Sequence, residues 1–93
     1  MALPNNEIFT RTEWTKLWDR MPLPPRQKDI TREIMRGLSD KQIATKLGIA
    51  VPTVRTHLGR MFARLNVRDR SELILYIIHQ FREISDGSYR PSK

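Results

Sequence analysis

The stretch from Ile49 to Leu65 constrains the chain most. Val54, Leu58, Met61, Phe62 and Leu65 fall at i, i+4, i+7, i+8 and i+11, which is one face of a single α-helix. The opposite face carries Arg55, Thr56, Arg60 and Arg64 and no acid. Just upstream, Asp40 to Leu47 reads as a short helix broken by Gly48. Two helices joined by a tight glycine-containing turn, the second basic on its outer face, suit a DNA-binding helix-turn-helix. They suit equally an ordinary helical hairpin with a solvated basic face. Periodicity does not separate these two readings.

Charge distribution bears on the choice. The 93 residues carry 17 Lys+Arg against 10 Asp+Glu, a formal net charge of +7. Such an excess favours a polyanionic partner, nucleic acid ahead of an anionic membrane surface. Between positions 41 and 68 the charged residues are Lys41, Lys46, Arg55, Arg60, Arg64 and Arg68, all basic. The excess is therefore concentrated on the two helices and the segment after them. The length suits one domain with a modest core and leaves no room for a second, sensory domain.

Other classes are disfavoured. There is no cysteine, so disulfides and thiolate metal sites are excluded, and a reducing cytoplasm is the expected location. The N-terminus lacks the basic and apolar regions of a signal peptide. The longest apolar run, Leu73 to Ile78, is far short of the roughly 20 residues a membrane span needs. No carboxylate pair, metal-spaced cluster, nucleophile motif or glycine-rich phosphate loop is present, so neither catalysis nor a cofactor is expected. His57 and His79 read as packed structural residues.

Taken in order, residues 1–22 form an arm and a short amphipathic helix. Met1 to Ile8 reads as loose. Thr10 and Glu13 then offer a capping box, ahead of Trp14, Leu17, Trp18 and Met21 at i, i+3, i+4 and i+7. The spacing predicts a helix over about Arg11–Arg20 that packs its tryptophans on the core or presents them to a protein partner. Residues 23–84 form the main domain. After Pro24 and Pro25 a helix runs to about Arg36, with Ile30, Ile34 and Met35 inward, and Gly37 ends it. Ser39 and Gln42 cap the next helix, whose Ile43, Ala44 and Leu47 face the core. The position before Val51 is Ala50, which has no side-chain acceptor and forgoes roughly 1 kcal/mol. Asn66 can take the left-handed conformation that ends a helix. Asp69 and Glu72 form a box for a last helix over about Arg70–Glu83. That helix is apolar around most of its circumference and must bury a second face, against another copy or against the Trp14/Trp18 helix. Residues 85–93 read as a polar tail. The fold class is all-α: a tetrahelical helix-turn-helix domain with one additional N-terminal helix.

A family resemblance rests on several of these segments together. Leu23-Pro24-Pro25-Arg26-Gln27, Gly37 to Ala44, Leu47-Gly48-Ile49, Thr53 to Leu58 and Leu65 to Glu72 resemble, in order and spacing, the LuxR-type DNA-binding domain, also called LuxR/FixJ or GerE type. The first two segments are also similar to the promoter-recognition region of a sigma factor. Thr56-His57-Leu58, where sigma factors usually have Ser-Arg-Leu, favours the LuxR type, as does the Asn66–Glu72 segment with a helix after it. The resemblance implies a transcription regulator with its third helix in the major groove and its fourth at the dimer contact. Four positions depart from the family pattern. Pro24 stands for a capping Ser or Thr, Gln27 for Glu, Ala50 for Ser, and Gly59 for a basic or polar residue.

These readings converge on specific residues. A recognition helix over about 51–65 would present Arg55, Thr56 and Gly59 to base edges: Arg55 to guanine, the Thr56 methyl to thymine, and Gly59 by letting the backbone approach. Arg55 could equally meet a phosphate. Lys41, Thr53, Arg60, Arg64, Arg68 and Arg70 are the candidates for phosphate contacts. Ile74, Ile78 and Phe81 are the candidate homodimer surface. The expected partner is double-stranded DNA, with no membrane partner. The alternative is a helical protein-interaction module that binds another regulator or an RNA polymerase subunit.

Overall fold

The computed structural model describes residues 7–85; the remainder of the expected arm and tail lies outside them. Five helices follow one another: α1 Arg11–Arg20, α2 Pro25–Met35, α3 Asp40–Leu47, α4 Val51–Leu65 and α5 Arg70–Ser85. No strand occurs among the described residues. The chain is all-α, as expected.

Local chemistry sets the helix ends. Thr10 Oγ1 accepts the Glu13 N–H at 3.1 Å, while Glu13 Oε1 accepts the Thr10 N–H at 2.8 Å. Ser39 and Gln42 repeat this box at α3, at 3.2 and 2.9 Å. Helices α2 and α4 begin after Pro24 and Ala50 without a side-chain cap, and each has a proline in its first turn. Gly48 closes α3 at φ 70° and Asn66 closes α4 at φ 57°, both left-handed. The first of these makes the turn that aims α4.

The start of α5 differs from the expected reciprocal box. Asp69 Oδ1 accepts the Glu72 N–H at 2.9 Å, as expected. The Glu72 carboxylate, however, accepts the Arg68 backbone N–H at 2.8 Å and its guanidinium Nη2 at 2.8 Å. The charged guanidinium draws one carboxylate oxygen, and this brings the other onto the Arg68 amide instead of that of Asp69. The side-chain bond from Arg68, reinforced by its backbone N–H, holds the Glu72 carboxyl below its ordinary range. The same side-chain bond, with the Glu72 charge, raises the Arg68 guanidinium.

Packing joins all five helices around one core. Helix α3 lies on α4, α2 touches both, and α1 lies on α5. Leu17, Met21, Ile30, Ile34, Ile43, Val54, Met61, Leu73 and Ile77 are buried in a single cluster. Trp14 is 3 % exposed. Its ring stacks on Trp18 at 4.8 Å between centroids and meets Phe9 edge-on at 5.1 Å. Lys28 and Arg32 of α2 lie over the Trp18 and Trp14 rings at 5.7 and 5.9 Å. Trp14 thus packs within the molecule, and Trp18 is half-buried against it.

Part of the second apolar face of α5 is covered by the same layer. Phe9 packs on Phe81 with centroids 4.6 Å apart. Arg20 reaches across from α1 to Gln80 at 2.7 Å and to Glu83 at 2.5 Å. The end of the expected loose arm is also tied down, because the Glu7 carboxylate pairs with Arg36. Arg36 and Lys46 in turn meet the buried Glu33 at 2.6 and 3.1 Å. A buried carboxylate needs such partners, and these ones join the arm, α2 and α3. Nothing in the sequence pattern singled out Glu33.

Candidate nucleic-acid interface

With Val54, Leu58 and Met61 buried and Val51, Phe62 and Leu65 half-buried beside them, the 100° step per residue turns the opposite side of α4 outward. Pro52, Thr53, Arg55, Thr56, Gly59, Arg60, Ala63 and Arg64 are all exposed. They form a ribbon about 18 Å long at the helical rise, on a helix of α-helical diameter that fits a major groove.

The three expected base-facing residues lie together on this ribbon. Arg55 is 68 % exposed, and its Nε donates to Asp40 Oδ2 at 3.3 Å. The Thr56 hydroxyl donates to the Pro52 carbonyl at 3.0 Å, so its hydrogen is engaged within the helix. Gly59 faces open space among the described residues: a Cβ built there meets none of their atoms within 4 Å.

The expected phosphate-facing residues divide into two groups. Lys41, Arg60 and Arg64 are exposed and have no ion-pair partner among the described residues. Thr53 is exposed in the first turn of α4. Arg68 is exposed but its charge is partly answered by Glu72. Arg70 is placed differently from the expectation. Its Nη1 donates to Asp40 Oδ1 at 3.2 Å and its Nη2 to the Leu38 carbonyl. It ties the start of α5 to the loop before α3 because a carboxylate and a free carbonyl both lie within its reach. His57 is half-buried, with Nδ1 enclosed and without a hydrogen-bond partner among the described residues, in keeping with a packed residue.

On α5 the expected dimer residues also separate. Ile78 is 37 % exposed, whereas Ile74 and Phe81 are half-buried, the latter against Phe9. Leu75, absent from the sequence-derived set, is 66 % exposed. It lies three residues before Ile78, so the two share one open face. The extra helix α1 decides which part of α5 stays open. The i, i+3 spacing alone gave no reason to prefer one side. Among the described residues no group of His, Asp or Glu could hold a metal ion, and no helix is long and apolar enough to cross a membrane.

A capped short helix, a left-handed glycine turn and a second helix with an acid-free basic face define a helix-turn-helix protein. The chain belongs to the luxR family of bacterial regulatory proteins, whose family model matches residues 21–77. Helix α1 lies before that segment. The transcriptional regulatory protein YhcZ of Bacillus subtilis is 41 % identical over 56 residues, which is 60 % of this chain and 26 % of that protein. Two nitrate/nitrite response regulator proteins of Escherichia coli are also similar. NarP is 38 % identical over 62 % of this chain and 27 % of its own length, and NarL 37 % over 64 % and 27 %. The chain thus spans about a quarter of the length of these relatives. No solved structure matches it.

Proposed function

We propose that this protein is a sequence-specific DNA-binding regulator of transcription in the bacterial cytoplasm, inserting α4 into the major groove. The observation that carries this reading is the outer ribbon of α4, where Arg55, Arg60 and Arg64 project with no acid on the helix. Arg55, Thr56 and Gly59 face the bases. Lys41, Thr53, Arg60 and Arg64 meet phosphates, and Arg68 contributes less because Glu72 already partners it. Two copies join through the open Leu75–Ile78 face of α5, with Ile74 and Phe81 at its margin. Their recognition helices then read half-sites about one DNA turn apart.

Selection from a random duplex pool supplies the preferred site, and variants then assign roles. Arg55→Ala is expected to weaken the selected duplex about 10- to 100-fold, the range of a bidentate base contact, with little change on random DNA. Equal weakening on both duplexes would show that Arg55 meets a phosphate instead. Arg64→Ala is expected to weaken both duplexes alike and to lower the salt slope by about 0.9, one released counterion. Failure of the wild-type chain to enrich any duplex, with stable capture of another regulator, would favour the protein-interaction module.

Gly59 gives a separate check. An exposed mid-helix glycine costs roughly 0.5–1 kcal/mol relative to alanine, and the space at its Cβ is empty. Gly59→Ala is expected to raise the thermal midpoint yet weaken DNA binding, since the added methyl separates the helix backbone from the groove. Unchanged DNA affinity would mean that the backbone makes no close approach there.

A further inference from the structure

Asp40 stands where two arginines of this surface converge. Its carboxylate opens α3 and is divided between them: Oδ1 accepts from Arg70 Nη1 at 3.2 Å, and Oδ2 from Arg55 Nε at 3.3 Å. Arg70 is held in turn by the Leu38 carbonyl. A continuous chain of bonds therefore runs from the loop before α3, through the starts of α5 and α3, to the exposed face of α4. Asp40 and Arg70 are 27 % and 33 % exposed, against 68 % for Arg55. The two inner members are sheltered, and the outer one projects.

We infer that Asp40 is the positioning residue for Arg55 and thereby sets the specificity of DNA recognition. This rests on the reading of α4 as the recognition helix. Asp40 engages the Nε edge of the guanidinium and leaves Nη1 and Nη2 without a partner among the described residues. That free end is a fork of the kind that grips guanine O6 and N7. A long side chain already held in one orientation loses less freedom on binding its target. An exposed ion pair of this kind adds little to folding stability. It does restrain Arg55 from swinging onto the nearest phosphate. The carboxylate opposes the phosphates of every duplex alike, and only a guanine that engages the positioned Arg55 offsets that repulsion. Asp40 thus acts with opposite signs on the two kinds of DNA, favouring the preferred site and disfavouring the rest.

The test uses the whole chain, the duplex selected from the random pool, and a shuffled duplex of the same composition. Asp40→Asn is expected to bind the shuffled duplex as tightly as wild type or more so. It should bind the selected one more weakly, so that the affinity ratio falls roughly tenfold. Arg55→Gln lowers the ratio by itself, and adding Asp40→Asn to it should lower the ratio no further. A role for Asp40 in folding alone would instead weaken both duplexes together, equally in the presence and absence of Arg55, and would overturn the inference. So would a ratio unchanged by Asp40→Asn. A wild-type chain that enriches no duplex overturns the DNA-binding reading and this inference with it. An enriched duplex whose preference survives Asp40→Asn overturns this inference alone.

Discussion

Trp14→Ala is expected to destabilise the protein by about 3–5 kcal/mol, the usual range for deleting a buried tryptophan. Trp14 is almost wholly enclosed by Phe9, Trp18 and Arg32. Its loss opens a cavity between α1, α2 and the layer that covers α5. Domains of this size hold only about 5–15 kcal/mol in total, so the thermal midpoint should fall by more than ~10 °C. Trp14→Phe is the informative companion. It keeps an aromatic ring and removes an indole N–H that is buried without a partner among the described residues. An unsatisfied buried donor costs about 1–3 kcal/mol, so its removal offsets part of the lost volume. Urea denaturation should rank wild type and Trp14→Phe close together and Trp14→Ala far below. A loss of under ~1 kcal/mol for Trp14→Ala would mean that α1 is an appendage rather than part of the core.

Leu75→Asp is expected to abolish self-association while leaving the fold intact. Leu75 is two-thirds exposed, so the carboxylate meets water in the monomer and an apolar partner surface in the proposed dimer. Loss of the linked second half-site should weaken binding to a two-fold duplex by roughly 10²-fold, while binding to a single half-site is unchanged. Sedimentation and titration of the two duplexes measure these effects. Phe81→Asp behaves differently, because Phe81 packs on Phe9. It should lower the thermal midpoint of the monomer itself. If Leu75→Asp still binds the two-fold duplex as tightly as wild type, the α5 face does not join two copies.

Much of the architecture was legible because its signals are local. The Thr10 and Ser39 capping boxes, the left-handed Gly48 and Asn66, and the proline-led α2 and α4 depend on residues within one helical turn. The structure has each of them where spacing predicts. The α4 stripe likewise settles which residues point outward, since rotation along a helix is set by its geometry. Arg70, Glu72, Phe81 and Leu75 were less legible. In each case the outcome depends on groups that only folding, or a neighbouring turn, brings together. Arg70 could face solvent until Asp40 and Leu38 arrive from another part of the chain. Glu72 could cap Asp69 until a guanidinium offers a stronger bond.

Sequence alone thus determined five helices, the ends of α1 to α4, and the basic, acid-free outer face of α4, because propensity, capping and periodicity act over a few residues. The tertiary structure decided which cations remain unanswered and which arginines are held by Asp40. It also decided which strip of the doubly apolar α5 stays open. Those outcomes depend on where α1 and the α3 N-terminus come to rest, and long-range packing sets that position.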